Sequence, residues 1–335
     1  MKKILITGGA GYIGSHTAVE LWNSGLEPVI LDDLSNSDSK VLDRLEEITG
    51  KRFTFFKGDC NDPRLLEEIS NQHEISGVIH FAAFKSVGES TVQPLKYYRN
   101  NVGSLLVLLD WMKEKGIQDL VFSSSCTVYG QPEVLPVTES TPRQEAESPY
   151  GNTKKICEDI LVDYVKSQPV IRVISLRYFN PVGAHPSAKI GELPLGVPQN
   201  LVPFITQTAA GIREKLTVFG DDYDTADGSC VRDYIHVMDL ADAHVKAFDF
   251  LKNQKNNFYE VFNVGTGKGN TVLEVIHAFE KVNGLKLNYV IGPRRPGDVV
   301  KTWADTSKIK KLLGWSPKYT LEDSMRDSWR WQQTL

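Results

Sequence analysis

Tyr150 and Lys154 stand four residues apart in the run Ser148-Pro-Tyr-Gly-Asn-Thr-Lys154. On a helix, side chains at i and i+4 share one face. A phenol beside an ammonium can fall below its reference pKa of about 10, because the cation favours phenolate. Such a pair is a candidate general base near neutral pH. The neighbouring residues supply the helix. Pro149 suits a first helical turn, where its missing N–H is not needed, and Ser148 is placed to cap it. Ile156, Ile160, Leu161 and Tyr164 then recur at helical spacing. The same spacing also describes a surface tyrosine beside a solvated lysine, so the rest of the chain must decide.

A second chemical stretch lies near the start. A short apolar strand, residues 3–7, runs into Gly8-Gly-Ala-Gly11-Tyr-Ile-Gly14. A helical run through Val19, Leu21 and Trp22 follows, then a strand over 28–31 that ends at Asp32-Asp33. Strand, glycine turn, helix, strand and acid is the order of a dinucleotide site, with the acid near the expected ~20 residues beyond the turn. The glycines let the backbone approach a pyrophosphate, and the helix N-terminus offers N–H groups and a positive dipole end. The spacing G-x-x-G-x-x-G differs from the usual G-x-G-x-x-G. Asp32 is placed to accept from the adenosine ribose hydroxyls. A carboxylate there repels a 2′-phosphate and no Arg follows closely, so NAD is favoured over NADP.

Helices and strands continue to alternate. Helices are expected over 41–48, 63–72 and 95–115, and strands over 53–56, 78–83, 120–125 and 173–176. The strand over 78–83 has little polar character, as a strand buried on both faces requires. This is the pattern of an α/β fold, a Rossmann-type doubly wound parallel sheet with helices on both faces. Ligands gather beyond the carboxyl ends of such strands. Small and polar residues cluster there, at Gly8, Asp32, Asp59, 82–85, 123–125 and 178–180. After Asn180 the character changes. A Pro- and Gly-rich loop over 181–198 leads to a helix at 201–210, a strand at 215–219 and an acidic loop at 221–227. The run 231–236 enters a helix, 262–264 reads as a strand, and helices at 272–282 and 306–313 flank residues 287–291. We therefore expect a dinucleotide-binding domain over 1–180 and a smaller mixed α/β substrate domain over 181–335. A segment near 233–265 is free to return to the first domain.

Composition narrows the class. The chain has 335 residues, one large or two smaller domains, and a formal net charge of -4, which offers no electrostatic footprint for nucleic acid. Cys60, Cys126, Cys157 and Cys230 are scattered without metal spacing, so no metal is expected, and reduced thiols suit the cytoplasm. The apolar stretch after Met1-Lys-Lys ends at Thr7-Gly8-Gly9, so no signal-peptide core is read. No run approaches the ~20 apolar residues that span a bilayer, and no membrane partner is expected.

Together these residues resemble the extended short-chain dehydrogenase/reductase family, and within it the UDP-glucose 4-epimerases. The resemblance runs from Thr7-Gly-Gly-Ala-Gly-Tyr-Ile-Gly-Ser-His16 to Trp329-Arg-Trp331-Gln332. It includes Ile79-His-Phe-Ala82, Phe122-Ser-Ser-Ser125 and Thr127-Val-Tyr-Gly130. Its most specific runs are Arg177-Tyr-Phe-Asn-Pro-Val-Gly-Ala-His-Pro186 and Val231-Arg-Asp-Tyr-Ile-His-Val-Met-Asp-Leu-Ala241. The resemblance implies that Ser125 and Tyr150 form the hydroxyl pair at the reacting sugar oxygen. Lys154 then binds nicotinamide ribose and lowers the pKa of the tyrosine. Besides the turn glycines Gly8, Gly11 and Gly14, it implies cofactor contacts at Tyr12, Ile13, Asp32, Asn36, Asp59, Cys60, Phe81, Ala82, Lys85, Asn100 and Phe179. UDP-sugar contacts are implied at Asn180, Asn200, Leu201, Phe219, Arg232, Arg295, Asp298 and Thr302.

The implied reaction interconverts UDP-glucose and UDP-galactose through a 4-keto sugar, with tightly held NAD. Family members pair as homodimers through helices that correspond to 95–115 and to the Tyr150 helix. There are two departures. Cys60 replaces an apolar residue beside adenine. Thr302 replaces the tyrosine of narrow-specificity members, which opens the range to UDP-GlcNAc and UDP-GalNAc. Two other readings use the same fold. A 4,6-dehydratase carries an Asp-Glu pair where Cys126-Thr127 stand here. A non-catalytic NAD sensor has no need of Ser125, Tyr150 and Lys154.

Overall fold

The computed structural model describes residues 1–295 and 298–335; Pro296 and Gly297, inside the Arg295–Asp298 run, lie outside the described residues. A seven-stranded sheet orders its strands Phe258–Val264, Arg172–Tyr178, Asp119–Ser125, Ile75–His80, Lys3–Thr7, Glu27–Asp32 and Thr54–Lys57. Lys3–Thr7 pairs in parallel with both Glu27–Asp32 and Ile75–His80, and the parallel register continues outward to Thr54–Lys57 and Asp119–Ser125. The order reverses at Lys3–Thr7. Such a switch point opens a crevice at the carboxyl ends of two neighbouring strands, here at Gly8 and Phe81.

Ile4, Leu5, Ile6, Val29, Ile30, Leu31, Val78, Ile79, Leu120 and Val121 are all buried, because helices cover both faces. On one face Leu5, Val29, Leu31, Val78, Leu120, Phe122 and Val173 meet Leu66 and Ile69, Leu105, Leu108 and Met112, and Leu161 and Val165. These come from the helices Pro63–Gln72, Gly103–Lys115 and Pro149–Ser167. The last of these begins as its sequence requires. Pro149 occupies the first turn, and the Ser148 hydroxyl accepts from Gly151 N at 3.2 Å.

One expected helix is corrected. Residues 95–115 do not form a single α-helix. Short helices Val87–Val92 and Pro94–Tyr97 lead into a π-helical turn, Tyr98–Val102, before Gly103–Lys115 resumes. The buried carboxamide of Asn101 explains the wide turn. It accepts from Phe84 N at 2.9 Å and donates to Phe84 O at 3.0 Å and to Thr153 Oγ1 at 3.1 Å. Those bonds tie the end of the Ile75–His80 strand to the Pro149–Ser167 helix. π-turns of this kind are frequent at functional sites.

The chain forms two compact units. The first comprises Met1–Gly130, Pro142–Arg177 and Ala241–Phe262; the second comprises Gln131–Thr141, Tyr178–Leu240 and Asn263–Leu335. In the second, three two-stranded pairs form. Asn180–Val182 pairs with Tyr234–His236, Val231–Arg232 with Asn270–Thr271, and Leu216–Phe219 with Tyr289–Gly292. Its core gathers Val182, Ile205, Leu216, Val218, Ile276, Phe279 and Met325. Met325 belongs to a helix, Leu321–Gln332, that the apolar pattern did not predict. Its start was nevertheless written in the sequence, as the capping box of Thr320 and Asp323. Among the described residues no helix is long and apolar enough to cross a membrane.

Candidate active site

The buried strand Asp119–Ser125 delivers Ser125 at its carboxyl end, and a 3₁₀ turn, Cys126–Tyr129, starts there because Ser125 Oγ accepts from Thr127 N at 3.2 Å. The Ser125 hydroxyl stands close enough to the Tyr150 phenol to favour its ionised form. Lys154, one turn further along the helix, is only 3 % exposed. Its Nζ donates to Ser123 O at 2.6 Å and lies 4.9 Å from the centre of the Phe122 ring. Ser125, Tyr150 and Lys154 are therefore brought together by one strand and one helix.

Burial pushes the Tyr150 phenol up to about 12; Ser125 opposes this and Cys126 adds to it. The Lys154 ammonium donates to the Ser123 carbonyl. Burial also draws Lys154 down to about 8, against the pull of Cys157 and Glu158. A phenolate at neutral pH therefore needs a further positive charge beside it.

The glycine turn lies at the switch point of the sheet. Gly8 has φ +69°, and a Cβ there would stand 2.8 Å from Ala82 N. A Cβ on Gly14 would stand 2.3 Å from Gly8 O, so the first helical turn can close on the strand only without a side chain. The helix Tyr12–Asn23 starts at Gly11 with no side-chain cap and no acid in its first turn, which leaves the electropositive end open to an anion. Asp32, 8 % exposed, braces the turn: Oδ2 accepts from Ala10 N at 3.0 Å, and Oδ1 from Leu34 N and Ser37 Oγ at 2.9 Å each. Three accepted bonds leave lone-pair capacity for one more donor.

Phe81 N donates to Thr7 O at 3.0 Å, which sets Phe81 and half-buried Ala82 beside Gly8, and the Phe81 ring packs on His244 at 4.7 Å. Asp59 Oδ1 accepts from Asn61 N at 2.8 Å and Asn61 Nδ2 at 2.9 Å, and that amide reaches Asn100 Oδ1 at 3.4 Å. Cys60 is buried beside them, its thiol pushed up to about 12. Tyr12 and Ile13 are half-buried on the first helical turn, whereas Asn36 and Lys85 are exposed. Phe179 lies in the second unit, buried, with its N–H on Val264 O at 3.1 Å.

The second unit holds a separate grouping. The Asp298 carboxylate accepts from Arg295 Nη2 at 2.7 Å and lies 3.7 Å from Arg232 Nη2, so one acid stands between two guanidinium forks. The Arg295 guanidinium lies 5.8 Å from the centre of the Phe219 ring, which is 43 % exposed. Thr302 is buried, and its N–H donates to Val231 O at 3.1 Å, next to Arg232. Buried Asp233 clamps the same region, accepting from Thr266 N at 2.7 Å, Gly267 N at 3.1 Å and Ala304 N at 3.1 Å. Asn180 N donates to Asp233 O at 2.9 Å. Asn200 and Leu201 open the helix Leu201–Ala209, where the Asn200 side chain donates to Glu192 Oε1 at 2.6 Å. The arrangement suits a diphosphate and a planar base, through forked donors and an exposed ring.

Sequence reasoning gave no site role to Asn101 or to Thr127. The Thr127 hydroxyl is buried and has no hydrogen-bond partner among the described residues, and a Cβ on Gly151, in the first turn of the Tyr150 helix, would stand 3.3 Å from Thr127 Cβ. Its signals were its place two residues after Ser125 and at the head of the Thr127–Gly130 run.

Fold and site together define an extended short-chain dehydrogenase/reductase. The family described as GDP-mannose 4,6 dehydratase matches residues 5–328. A UDP-glucose 4-epimerase of Erwinia amylovora is 51 % identical over 98 % of this chain and 97 % of its own. The crystal structure of UDP-glucose-4-epimerase from Stenotrophomonas maltophila, with bound NAD and formylated UDP-arabinopyranose, superposes with a TM-score of 0.97 at 47 % identity, covering 100 % of this chain and 98 % of that one. The UDP-Glc/GlcNAc 4-epimerase of Campylobacter jejuni is 38 % identical with a TM-score of 0.86, covering 100 % of both chains. The chain belongs to the UDP-glucose 4-epimerase family.

Gly14→Ala is expected to distort the turn against Gly8 O and to abolish retention of a nicotinamide dinucleotide through purification. Nucleotide released from denatured protein measures this, and wild-type content in the variant would show that the turn does not hold the cofactor.

Proposed function

We propose that this protein interconverts UDP-glucose and UDP-galactose, with NAD held by the first unit and the UDP moiety by the second. The observation that carries the reading is the meeting of Ser125, at the end of the Asp119–Ser125 strand, with Tyr150 and with Lys154 one helical turn on, at the carboxyl end of the sheet that also bears the glycine turn. The residues present fit NAD. The cradle at Gly8 and Gly14 would be filled by any side chain, the uncapped helix end suits pyrophosphate, and Asp32 keeps acceptor capacity for ribose. When bound, NAD supplies the hydride acceptor and donor for C4″.

The chain's own residues do the remainder. Tyr150 takes the proton of the 4″-hydroxyl, and Ser125 bridges the same oxygen. Arg232 and Arg295 hold the phosphates, and Phe219 packs on uracil. UDP is gripped by charge while the hexose is held loosely, since both faces of the ketone must meet one face of the cofactor. A 4,6-dehydratase needs an acid and a base at C5 and C6, and the Cys126-Thr127 pair after Ser125 cannot supply them. We place the enzyme in the cytoplasm, which its four unbridged cysteines suit. We also propose a homodimer through the 87–115 region and the Pro149–Ser167 helix, where Val92, Leu95 and Leu106 are exposed. Light scattering at micromolar concentration is expected to give twice the monomer mass.

Tyr150→Phe is expected to fold and keep NAD while losing at least the ~10²-fold typical of general-base removal. The assay converts UDP-galactose without added NAD. Near-native turnover by the variant would overturn the mechanism, and an inactive wild type would overturn the function.

Thr302 extends the substrate range in this reading. It lacks the phenol ring that closes the sugar pocket in narrow-specificity members, so it removes a clash with an acetamido group at C2″. Specificity often rests on such a clash, and the C. jejuni relative is named for both sugars. Wild type is expected to turn over UDP-GlcNAc and UDP-GalNAc beside the glucose pair, and Thr302→Tyr to lose the acetylated pair selectively. Comparing kcat/KM for both pairs tests this. No turnover of the acetylated pair by wild type, or an unchanged preference in the variant, would sink it.

A further inference from the structure

We infer that Glu158 and Arg177 are the positioning pair of the catalytic centre, a fork that fixes from behind the strand, turn and helix carrying Ser125, Tyr150 and Lys154. The inference rests on the function proposed above. Glu158 follows Lys154 by one turn and Tyr150 by two, so the three share a helix face. Glu158 is 1 % exposed and Arg177 is 4 % exposed. Glu158 Oε1 accepts from Ser124 Oγ at 2.6 Å and Arg177 Nε at 2.9 Å; Oε2 accepts from Arg177 Nη2 at 2.6 Å and Arg143 Nη1 at 3.4 Å. Arg177 Nη1 reaches on to the Tyr129 hydroxyl at 2.8 Å, and the guanidinium lies over the Tyr129 ring at 4.8 Å.

Ser124 immediately precedes Ser125, and Tyr129 closes the turn that begins after it. One carboxylate thus holds the serine's strand, the far end of its turn through Arg177, and the helix of Tyr150 and Lys154. A buried ion pair is weak evidence of a stabilising role, since apolar replacements of similar volume are often as stable. The placement of this pair, with one arm on Ser124 beside Ser125, another on the turn that follows Ser125, and the carboxylate itself on the helix of Tyr150 and Lys154, gives it a geometric task. Neither residue is among the implied cofactor or substrate contacts.

Glu158→Asp keeps the charge and the pairing but draws the carboxylate back by one methylene. It is expected to retain wild-type NAD content and KM for UDP-galactose while kcat falls on the order of 10²-fold, the scale of a ~1 Å misplacement. The double variant Glu158→Gln/Arg177→Met removes both charges. It is expected to regain thermal stability relative to Glu158→Gln alone while kcat stays low. A wild-type kcat in folded Glu158→Asp, or a kcat that recovers with stability in the double variant, overturns the inference and assigns the pair to structure alone. Should neither variant fold, Ser124→Ala decides: it deletes one arm, a lower kcat at unchanged KM supports positioning, and an unchanged kcat overturns it. A wild type without turnover is a different outcome, in which the proposed function fails and the inference falls with it.

Discussion

The site depends on the docking of the Pro149–Ser167 helix onto the Asp119–Ser125 strand, and a buried ammonium makes that joint. Lys154 Nζ has the Ser123 carbonyl at 2.6 Å and the Phe122 ring at 4.9 Å. Removing an ammonium from water costs several kcal/mol unless bonds and opposite charge offset it. The offset is incomplete, as burial still draws the group down from 10.5 to about 8. The folded-state pKa is the lower one, so between those two values the unfolded chain binds more protons, and this group's contribution to stability rises with pH across that interval. The charged form that the site uses is thus held at a cost to stability at and below pH 8. Such a trade is expected of a functional group and not of a packing residue.

Much of this was legible in the sequence because it rests on local rules. Ser148-Pro149 announced a helix start, and the helix begins there. Gly8, Gly11 and Gly14 announced a turn without room for side chains, and Gly8 and Gly14 approach backbone within 3 Å of where a Cβ would stand. Alternation of apolar strands with helices fixed the fold class. What stayed hidden depends on partners distant in the chain. The Tyr98–Val102 π-turn leaves the apolar pattern on both sides intact, and its cause, the Asn101 bonds to Phe84 and Thr153, cannot be read from spacing. Helical geometry put Tyr150 and Lys154 on one face but did not say where the ammonium pointed. The Leu321–Gln332 helix was missed because Ser and Asp dilute its apolar stripe, although Met325 and Trp331 are buried.

The second unit shows the complementary limit. Arg232, Arg295 and Asp298 came from resemblance, since isolated charges on a loop and a two-residue strand have no periodicity to read. Folding brings them together, with Asp298 holding two guanidinium groups near one another. A lone acid between two forks reduces their mutual repulsion and keeps them oriented before an anion arrives. Their remaining donors are then free for phosphate oxygens, which accept in the same planar geometry.

The state of Tyr150 connects these pieces. The chain by itself keeps the phenol neutral, at about 12, with Ser125 pulling it down against burial. A base so held is strong but not yet ionised at neutral pH. Under the function proposed here the charge that changes this is oxidised nicotinamide, a cation, whereas the reduced ring is neutral. A nearby cation favours phenolate and its loss favours the phenol. Tyr150 is therefore a base when the sugar must give up a proton and an acid when the 4-keto oxygen must regain one. No second residue is needed for the return step. One tyrosine serves both directions of a reaction with no net redox change, which accounts for a burial that would otherwise make it a poor base.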